Sequence, residues 1–330
     1  MGHRKKSAPR RGSLAFRPRM RKGSLIPTLR SWPELLSEKP ALLAFIGFKA
    51  GTIHTIITDD RKSSPNFGKP LFLASTVISC PPIQVIGFRA YRKTPYGLQA
   101  IKDVYTKKLP KELERKVRIK NQDDEALTFI EDHLSEVSTF RAIVLAFPKL
   151  AGLSQKKPFM MEIGVSGGIK DAFEYLKKLM GKEVRVSDVF KSGMYVDTIG
   201  VSKGKGFEGP VTRFGIKRKQ HKSRKSVRAV GTLGPWKPAS VMYTIARAGQ
   251  RGFHQRTEYN KRILLVSNEK DNPITPKGGF PHFGLLKDDY LILKGSTVGI
   301  VKRPLVLRRA IRAKEFKVQE TKIISISTRE

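Results

Sequence analysis

The chain has 330 residues, of which 65 are Lys or Arg and 28 are Asp or Glu, so its formal net charge is +37 at pH 7. Such a surface repels itself unless a polyanion covers it, and nucleic acid is the partner that this charge favours over a membrane. The single cysteine excludes a disulfide framework and a cysteine-based zinc site. No apolar run approaches the ~18 residues that a membrane helix needs. The basic N-terminus is not predicted to be a secretory signal, because no apolar segment follows it directly.

The N-terminal part of the chain is predicted to be an extended basic arm followed by strands. Five prolines interrupt any helical periodicity in residues 1–40. Ala41–Thr58 is predicted to form two strands around a Lys49-Ala50-Gly51 turn, because apolar and β-branched residues flank it on both sides. Leu71–Tyr91 has the same composition and is broken by Pro81-Pro82, which predicts two further strands.

The middle of the chain mixes helical and strand patterns. Asp123–Val137 carries apolar residues at helical spacing and is predicted to form an amphipathic helix. Ala142–Phe147 and Phe159–Val165 are short apolar runs of the kind that form buried strands. Ile169–Met180 is predicted to be a helix that Gly181 ends.

The last third returns to strand patterns around one irregular stretch. Val184–Val201 has strand character, and residues 203–258 are basic, glycine-rich and without periodicity. Ile263–Val266, Tyr290–Leu293 and Thr297–Val301 are predicted strands.

These elements predict a mainly β fold with an α+β insertion. We expect a β-barrel built from residues 41–94 and 183–330, with the insertion over residues 95–182. Two basic segments leave this barrel, the arm at 1–40 and a central extension at 203–258. A structureless stretch of that length inside a compact domain is unusual, and it is expected only where the stretch threads into a partner.

The positive charge is concentrated in the same two segments. Residues 1–30 hold ten Lys and Arg and no acid, and residues 203–262 hold sixteen against Glu208 and Glu258, whereas residues 102–190 carry a net charge of only +3. Charge runs are often solvated faces or disordered tails. Here glycines, prolines and aromatic residues interrupt the runs, which favours contact surfaces for nucleic acid.

One glycine motif in the central extension has the spacing of a nucleotide-binding loop. Gly204–Gly209 is a literal G-x-G-x-x-G after a predicted strand, and Val211 extends it to the kinase glycine loop. A dinucleotide site also needs a helix and an acid about 20 residues further on, but after Glu208 the next acid is Glu258. The other kinase motifs are absent from the sequence. The glycines instead suit an anion-binding turn whose backbone approaches phosphate closely.

A second motif resembles the nucleophile turn of hydrolases. Gly164–Gly168 is a literal G-x-S-x-G between a predicted strand and a predicted helix, with Asp188 or Asp197 and then His221 available for a triad. The sequence lacks the glycine-rich oxyanion segment, and His221 lies among lysines and arginines, which do not orient a histidine ring as a triad requires. The alternative is structural, with Ser166 or Gly167 ending the strand and capping the helix.

The six histidines show no metal-ligand spacing and there is no P-loop, so neither a metal site nor a cofactor is predicted.

The remainder of the extension has the composition of an RNA-threading segment. Trp236 lies in a Gly/Pro turn with Leu233 as its only apolar neighbour, so its ring is predicted either to plug the protein's own barrel or, as we favour, to stack on a base. Residues 247–261 again mix arginine, glycine and aromatic residues. Irregular basic threads suit folded RNA better than a DNA groove.

At these residues the chain resembles a known family. The L-three family of large-subunit ribosomal proteins has a characteristic sequence pattern. It consists of a Phe, six residues, an Asp, two residues, a small residue, one residue, a Ser, one residue, Gly-Lys-Gly, two residues, a Gly, three residues and an Arg. The sequence matches this pattern at Phe190, Asp197, Gly200, Ser202, Gly204, Lys205, Gly206, Gly209 and Arg213. The opening MGHRKKSAPRRGSLAFRPR, GPWKPA at 234–239 and ARAGQRGFHQRTEYNK at 246–261 are similar to the archaeal form, so the resemblance covers essentially the whole chain. Eukaryotic members carry a modifiable histidine where this chain has Arg224, so that modification is not expected.

The resemblance implies a translation-factor-like β-barrel and a structural role in the large subunit of the cytoplasmic ribosome. It implies binding to large-subunit rRNA near its 3′ end, an early role in assembly, neighbouring ribosomal proteins as partners, and a central extension that reaches toward the peptidyl-transferase centre. It implies no catalysis, no membrane and no small-molecule substrate. An RNA-modifying enzyme and an esterase built on Ser166 are the alternatives.

The candidate contacts follow from the basic segments together with the resemblance. Gly204, Gly206 and Gly209 are predicted to offer their backbone to phosphate. The side chains predicted to contact rRNA are His3, Arg4, Lys5, Arg10, Arg11, Arg19, Lys203, Lys205, Arg213, Lys217, Arg218, Lys219, Lys222, Arg224, Lys225, Arg228, Trp236, Lys237, Arg247, Arg251, His254 and Arg256.

Overall fold

The computed structural model describes residues 7, 9–34, 39–119, 125–223, 226–313 and 321–327. The chain forms two compact units. The smaller unit comprises residues 1–24 and 201–255, and the larger unit comprises residues 25–200 and 256–330. The fold is mainly β with few helices, as the sequence predicts.

Fourteen strands and four α-helices are formed by the described residues. The strands are β1 (Ala44–Thr58), β2 (Pro70–Ser79), β3 (Ile83–Thr94), β4 (Gly97–Tyr105), β5 (Thr139–Ala146), β6 (Phe159–Gly164), β7 (Glu183–Val184), β8 (Tyr195–Val201), β9 (Gly204–Glu208), β10 (Gly249–Gly252), β11 (Gln255–Asn268), β12 (Asp289–Lys294), β13 (Pro304–Arg309) and β14 (Ile323–Ser327). The helices are α1 (Glu125–Asp132), α2 (Ile169–Leu179), α3 (Val186–Val189) and α4 (Pro210–Phe214), and Lys111–Arg115 is a 3-10 helix.

A closed six-stranded sheet forms the centre of the larger unit. Its strands follow the order β13-β8-β11-β12-β2-β1, and β1 pairs back onto β13, so the sheet closes into a barrel. β14 continues the sheet on the far half of β1. Phe45, Phe48 and Tyr290 are fully buried among the barrel strands. Since closure removes the free edges of a sheet, the barrel needs no other cover for its backbone groups.

The predicted turn at Lys49-Ala50-Gly51 is wrong, because β1 runs unbroken through it. The pairing of β1 with β2 shifts register between Lys49 and Gly51, which leaves Ala50 as the extra residue of a β-bulge. The strand bends there and continues with Ile53, Thr55 and Ile57 facing inward. A bulge and a turn need similar local composition, and here the neighbouring strands select the bulge.

A second sheet carries the α+β part of the larger unit. Its order is β4-β3-β5-β6, with β7 also paired to β3, and α2 packs Phe173 against Phe88 and Phe140 with ring centroids 5.7 and 5.8 Å apart. The sequence predicts residues 83–94 in the barrel, but as β3 they pair with β4 and β5 in this second sheet. The double proline at 81–82 lies where the chain passes from β2 to β3.

Three other predicted elements differ from the structure. Val184–Val201 is not one strand, because helix α3 and a turn separate β7 from β8. Thr297–Val301 forms no strand, because Gly299 at φ +92° turns the backbone away from an extended path. The helix predicted at Asp123–Val137 is shorter in the structure, where α1 covers Glu125–Asp132, and residues 123 and 124 lie outside the described part.

The predicted arm is divided between the two units. Residues 25–34 belong to the larger unit, where Ile26, Leu29 and Trp32 pack against its hydrophobic core. The indole of Trp32 lies directly over Gly164, where a Cβ atom would come within 2.8 Å of Trp32 Cδ2. This half of the arm is therefore part of the core rather than a free extension.

None of the α-helices among the described residues is long and apolar enough to cross a bilayer.

Candidate nucleic-acid interface

The glycine motif of the smaller unit forms a strand rather than a nucleotide-binding loop. Gly204–Glu208 is strand β9, which pairs antiparallel with β10. The register shifts between Gln250 and Gly252, and a Cβ at Gly252, whose φ is +75°, would lie 2.0 Å from the carbonyl oxygen of Lys203. Glycine is required at this crossing because the two backbones approach too closely for any side chain.

Helix α4 follows β9 and places one aromatic ring among three guanidinium groups. Phe214 at its end is buried, and the guanidinium carbons of Arg17, Arg19 and Arg213 lie 4.9, 4.2 and 5.2 Å from its ring centroid. Gly12 covers the ring edge, because a Cβ there would lie 2.4 Å from Phe214 Cδ1. Cations over an aromatic face are attracted by the ring's negative quadrupole.

Arginine side chains join residues 10–24 of the arm to the extension through backbone carbonyls. Arg10 donates to the carbonyl of Thr244 at 2.6 Å, and Arg17 donates to the carbonyls of Tyr243 and Ile245. Arg19 donates to the carbonyl of Arg213 at 2.9 Å, and Arg213 donates back to that of Arg19 at 3.2 Å. Carbonyl acceptors satisfy these donors without neutralising their charge.

The smaller unit has far more basic than acidic residues. It contains 22 Lys and Arg residues and a single acid, Glu208. Burial, and then the nearby positive charge of Arg17, lowers the pKa of Arg19 below its ordinary value, and burial with the charges of Arg19 and Arg17 does the same for Arg213. An anion at this surface would relieve that repulsion.

Many of the predicted contact residues are solvent-exposed in the smaller unit. No ion pair within the described part of the chain involves these exposed cations, which are Lys203, Lys205, Lys217, Arg218, Lys222, Lys237 and Arg247. Arg11 is also exposed and approaches the carbonyl of Gly215 at 3.5 Å. Lys219 is half-buried. His3, Arg4, Lys5, Arg224 and Lys225 lie outside the described residues.

Other predicted contact residues have partners inside the protein. His254 is buried, with Nδ1 2.9 Å from the carbonyl oxygen of Met20, and Arg213 bonds three carbonyls. Arg251 pairs with Glu208 at 2.9 Å, and Arg228 donates to Thr212. These side chains hold the arm and the extension in place. Arg256 is half-buried on β11 of the larger unit.

The indole of Trp236 is 92% exposed. All residues from 231 to 240 are exposed as well, so this turn builds no apolar pocket around the ring. Trp236 therefore presents both faces of a large aromatic system to solvent.

Arg17, Phe214 and Tyr243 also belong to this surface, although the sequence did not mark them as contact residues. Arg17 is two residues before Arg19, and side chains at that spacing in an extended segment share one face. The two-residue spacing from Arg19 could therefore have identified Arg17 as a further candidate contact residue. Tyr243 has no local signal, because its relation to Arg17 spans 226 residues of sequence.

The serine motif is structural, although Ser166 does not cap a helix. Its side chain is buried, with Oγ accepting from Ala41 N at 3.0 Å and donating to the Ala41 carbonyl at 3.2 Å. The residue that caps α2 is Gly168, without a side-chain hydrogen bond. Asp188 accepts from the N–H of Arg185, and Asp197 pairs with Arg308 at 2.8 Å.

Within the described residues, no three His, Cys, Asp or Glu side chains are grouped so that they could hold a metal ion.

Comparison with known proteins gives the family. The sequence matches the family model described as Ribosomal protein L3 over residues 1–328. The chain belongs to this family. Among its relatives of the L3 family, the large ribosomal subunit protein uL3 of Methanocaldococcus jannaschii is 45% identical over 97% of this chain and 96% of its own. The uL3 proteins of Methanococcus vannielii and Caldivirga maquilingensis are 43% and 46% identical, over 98% and 92% of this chain and 97% and 90% of their own. The L3 match includes both the arm and the extension, so the cationic unit described above lies within the family's own sequence.

Proposed function

We propose that this protein is a structural constituent of the large ribosomal subunit and that its smaller unit binds large-subunit rRNA. The relatives are named as large-subunit proteins, and the match extends over nearly the whole of both chains. The observation that supports rRNA binding is the charge of the smaller unit, 22 basic residues against one acid. The phosphate backbone of RNA is the anion that suits such a surface.

The binding is expected to use two kinds of contact. Exposed lysines and arginines neutralise phosphates, and each neutralised phosphate releases a counterion. The exposed ring of Trp236 stacks on a base, which contributes about 1–3 kcal/mol. In our proposal the protein enters the subunit early, binds near the 3′ end of the rRNA, and brings Trp236 toward the peptidyl-transferase centre.

In this role the protein supports the chemistry of the ribosome without performing a reaction. Both motifs that resemble enzyme sites are used structurally, since Gly204–Glu208 is a paired strand and the hydroxyl of Ser166 bonds the backbone of Ala41. Large-subunit rRNA and neighbouring ribosomal proteins are its proposed partners.

The test is the salt dependence of binding to transcribed large-subunit rRNA. The logarithm of the affinity should fall with the logarithm of salt by about 0.7–0.9 per phosphate contact. Changing Lys203, Lys205 and Lys217 together to Gln should therefore reduce the slope by roughly 2–3. These three side chains are exposed, so the substitutions should leave the fold intact.

The matched control changes three exposed lysines of the larger unit, Lys107, Lys108 and Lys111, to Gln. This control should leave the slope nearly unchanged. Equal losses in the two triple variants, or a wild-type slope near zero, would contradict the assignment of rRNA binding to the smaller unit.

A further inference from the structure

A cavity of about 760 Å³ opens in the smaller unit beside Phe214. We call it the Phe214 cavity. Residues of the arm, the end of α4 and the segment 241–247 line it, among them Arg17, Arg19 and Arg213. Its volume lies within the range of roughly 300–1,000 Å³ that small-molecule sites have.

The walls of the Phe214 cavity are apolar. Buried Phe214 and partly exposed Val241 and Met242 contribute apolar surface, and Tyr243 contributes a ring that is 72% exposed. Clustered apolar side chains that remain exposed on a protein otherwise rich in charge mark a contact surface. A flat, largely apolar group matches this lining.

The charge of the Phe214 cavity is positive without compensation. Arg247 lines it together with the three arginines around Phe214, and the lining contains no carboxylate. Arg17 and Arg19 donate to backbone carbonyls, and within the described part of the chain the buried Nε atoms of both have no hydrogen-bond partner. The occupant must therefore bring negative charge as well as a flat apolar face.

We propose that the Phe214 cavity binds one unstacked nucleotide of large-subunit rRNA, with its base against Tyr243 and Met242 and its phosphate beside the arginines. A nucleotide combines an aromatic base with an anion, which free phosphate or an apolar side chain does not. Apart from the arginines, which we assign to the phosphate, the lining side chains offer one hydroxyl, that of Tyr243, for hydrogen bonds to a base. The cavity is therefore expected to accept a base by stacking rather than by sequence. This inference rests on the proposed rRNA binding.

Tyr243 is the residue at which to test the proposal. Its backbone carbonyl accepts from Arg17, and a side-chain substitution leaves that bond in place. Assembled large subunits that contain Tyr243→p-benzoylphenylalanine are irradiated, and crosslinks are mapped by primer extension. The expected result is a crosslink to one nucleotide of the rRNA. Tyr96, fully exposed in the larger unit, is the matched control and should not crosslink to that nucleotide.

A binding measurement gives the second readout. Single-stranded octauridylate and an abasic octamer with the same phosphates are compared, with Trp236→Ala in every chain so that its indole does not contribute. The chain should prefer the base-bearing probe by roughly 5- to 150-fold, which is the equivalent of one stacked base. Adding Tyr243→Ala should remove that preference without changing the salt slope, and adding Tyr96→Ala should not.

The two proposals fail in different ways. A crosslink from position 243 to a protein, no crosslink from it, or an unchanged base preference in Tyr243→Ala would overturn the nucleotide site while salt-dependent rRNA binding persisted. A salt slope near zero would overturn the rRNA-binding function itself, and the nucleotide site with it.

Discussion

Asp197 is a carboxylate buried completely inside the larger unit. Its oxygens accept from Arg308 at 2.8 Å and from the backbone N–H groups of Asn260 and Ile311 at 3.0 and 3.2 Å. Arg308 is itself only 4% exposed. A buried ion pair of this kind holds strands together at fixed positions, because neither charge has an alternative partner in water.

Asp197→Asn should destabilise the protein by about 3–5 kcal/mol, because the guanidinium of Arg308 is then buried without its countercharge. Urea unfolding of the full chain measures the change. The control is Glu131→Gln, which removes an exposed pair with Lys177 and should cost less than about 1 kcal/mol. Equal costs for the two substitutions would show that the Asp197 pair contributes no more than a surface pair.

Trp236→Ala should leave folding and assembly nearly unchanged. The ring is 92% exposed, so its loss creates no cavity, and one stacked base contributes only about 1–3 kcal/mol beside many phosphate contacts. Mutant subunits should assemble but differ in tRNA binding, in peptidyl transfer or in sensitivity to antibiotics of the peptidyl-transferase centre. Mutant subunits that match wild type in all three assays would contradict the proposed placement of the ring.

At the level of elements, the arm divides at residue 24. Residues up to Ser24 belong to the smaller unit, whereas the residues that follow pack on the core of the larger unit. The sequence predicts residues 1–40 as one extended segment, because prolines and charges surround the apolar residues Ile26, Leu29 and Trp32 and leave no periodic pattern. Their role becomes visible only with the strands that they cover.

Two truncations test this division. Deleting residues 1–24 should leave the larger unit folded, while deleting residues 1–34 should lower the thermal midpoint, because the core loses Ile26, Leu29 and the indole over Gly164. Circular dichroism during heating measures both. If the protein without residues 1–34 unfolded at the same temperature as the protein without residues 1–24, residues 25–34 would have no role in the core.

For the molecule as a whole, composition and periodicity predict a mainly β fold and two cationic segments. The structure confirms the mainly β fold. Assignment of strands to sheets is less accessible to sequence. Nothing in β3 itself shows that it pairs with β4 and β5 rather than with barrel strands. The arginine cluster is equally hidden, because Arg17 and Phe214 are almost 200 residues apart in the chain.

Closure of the barrel also sets an order of events during synthesis. β1 pairs with β13, and the two strands are about 250 residues apart in the chain. During translation, β13 therefore leaves the ribosomal tunnel about 250 residues later than β1. At 5–20 residues per second, this separation corresponds to roughly 10–50 s. Throughout that interval one edge of β1 has no partner from its own chain. During that interval the unpaired edge of β1 is open to pairing with other chains, which makes it the stage of synthesis most exposed to aggregation.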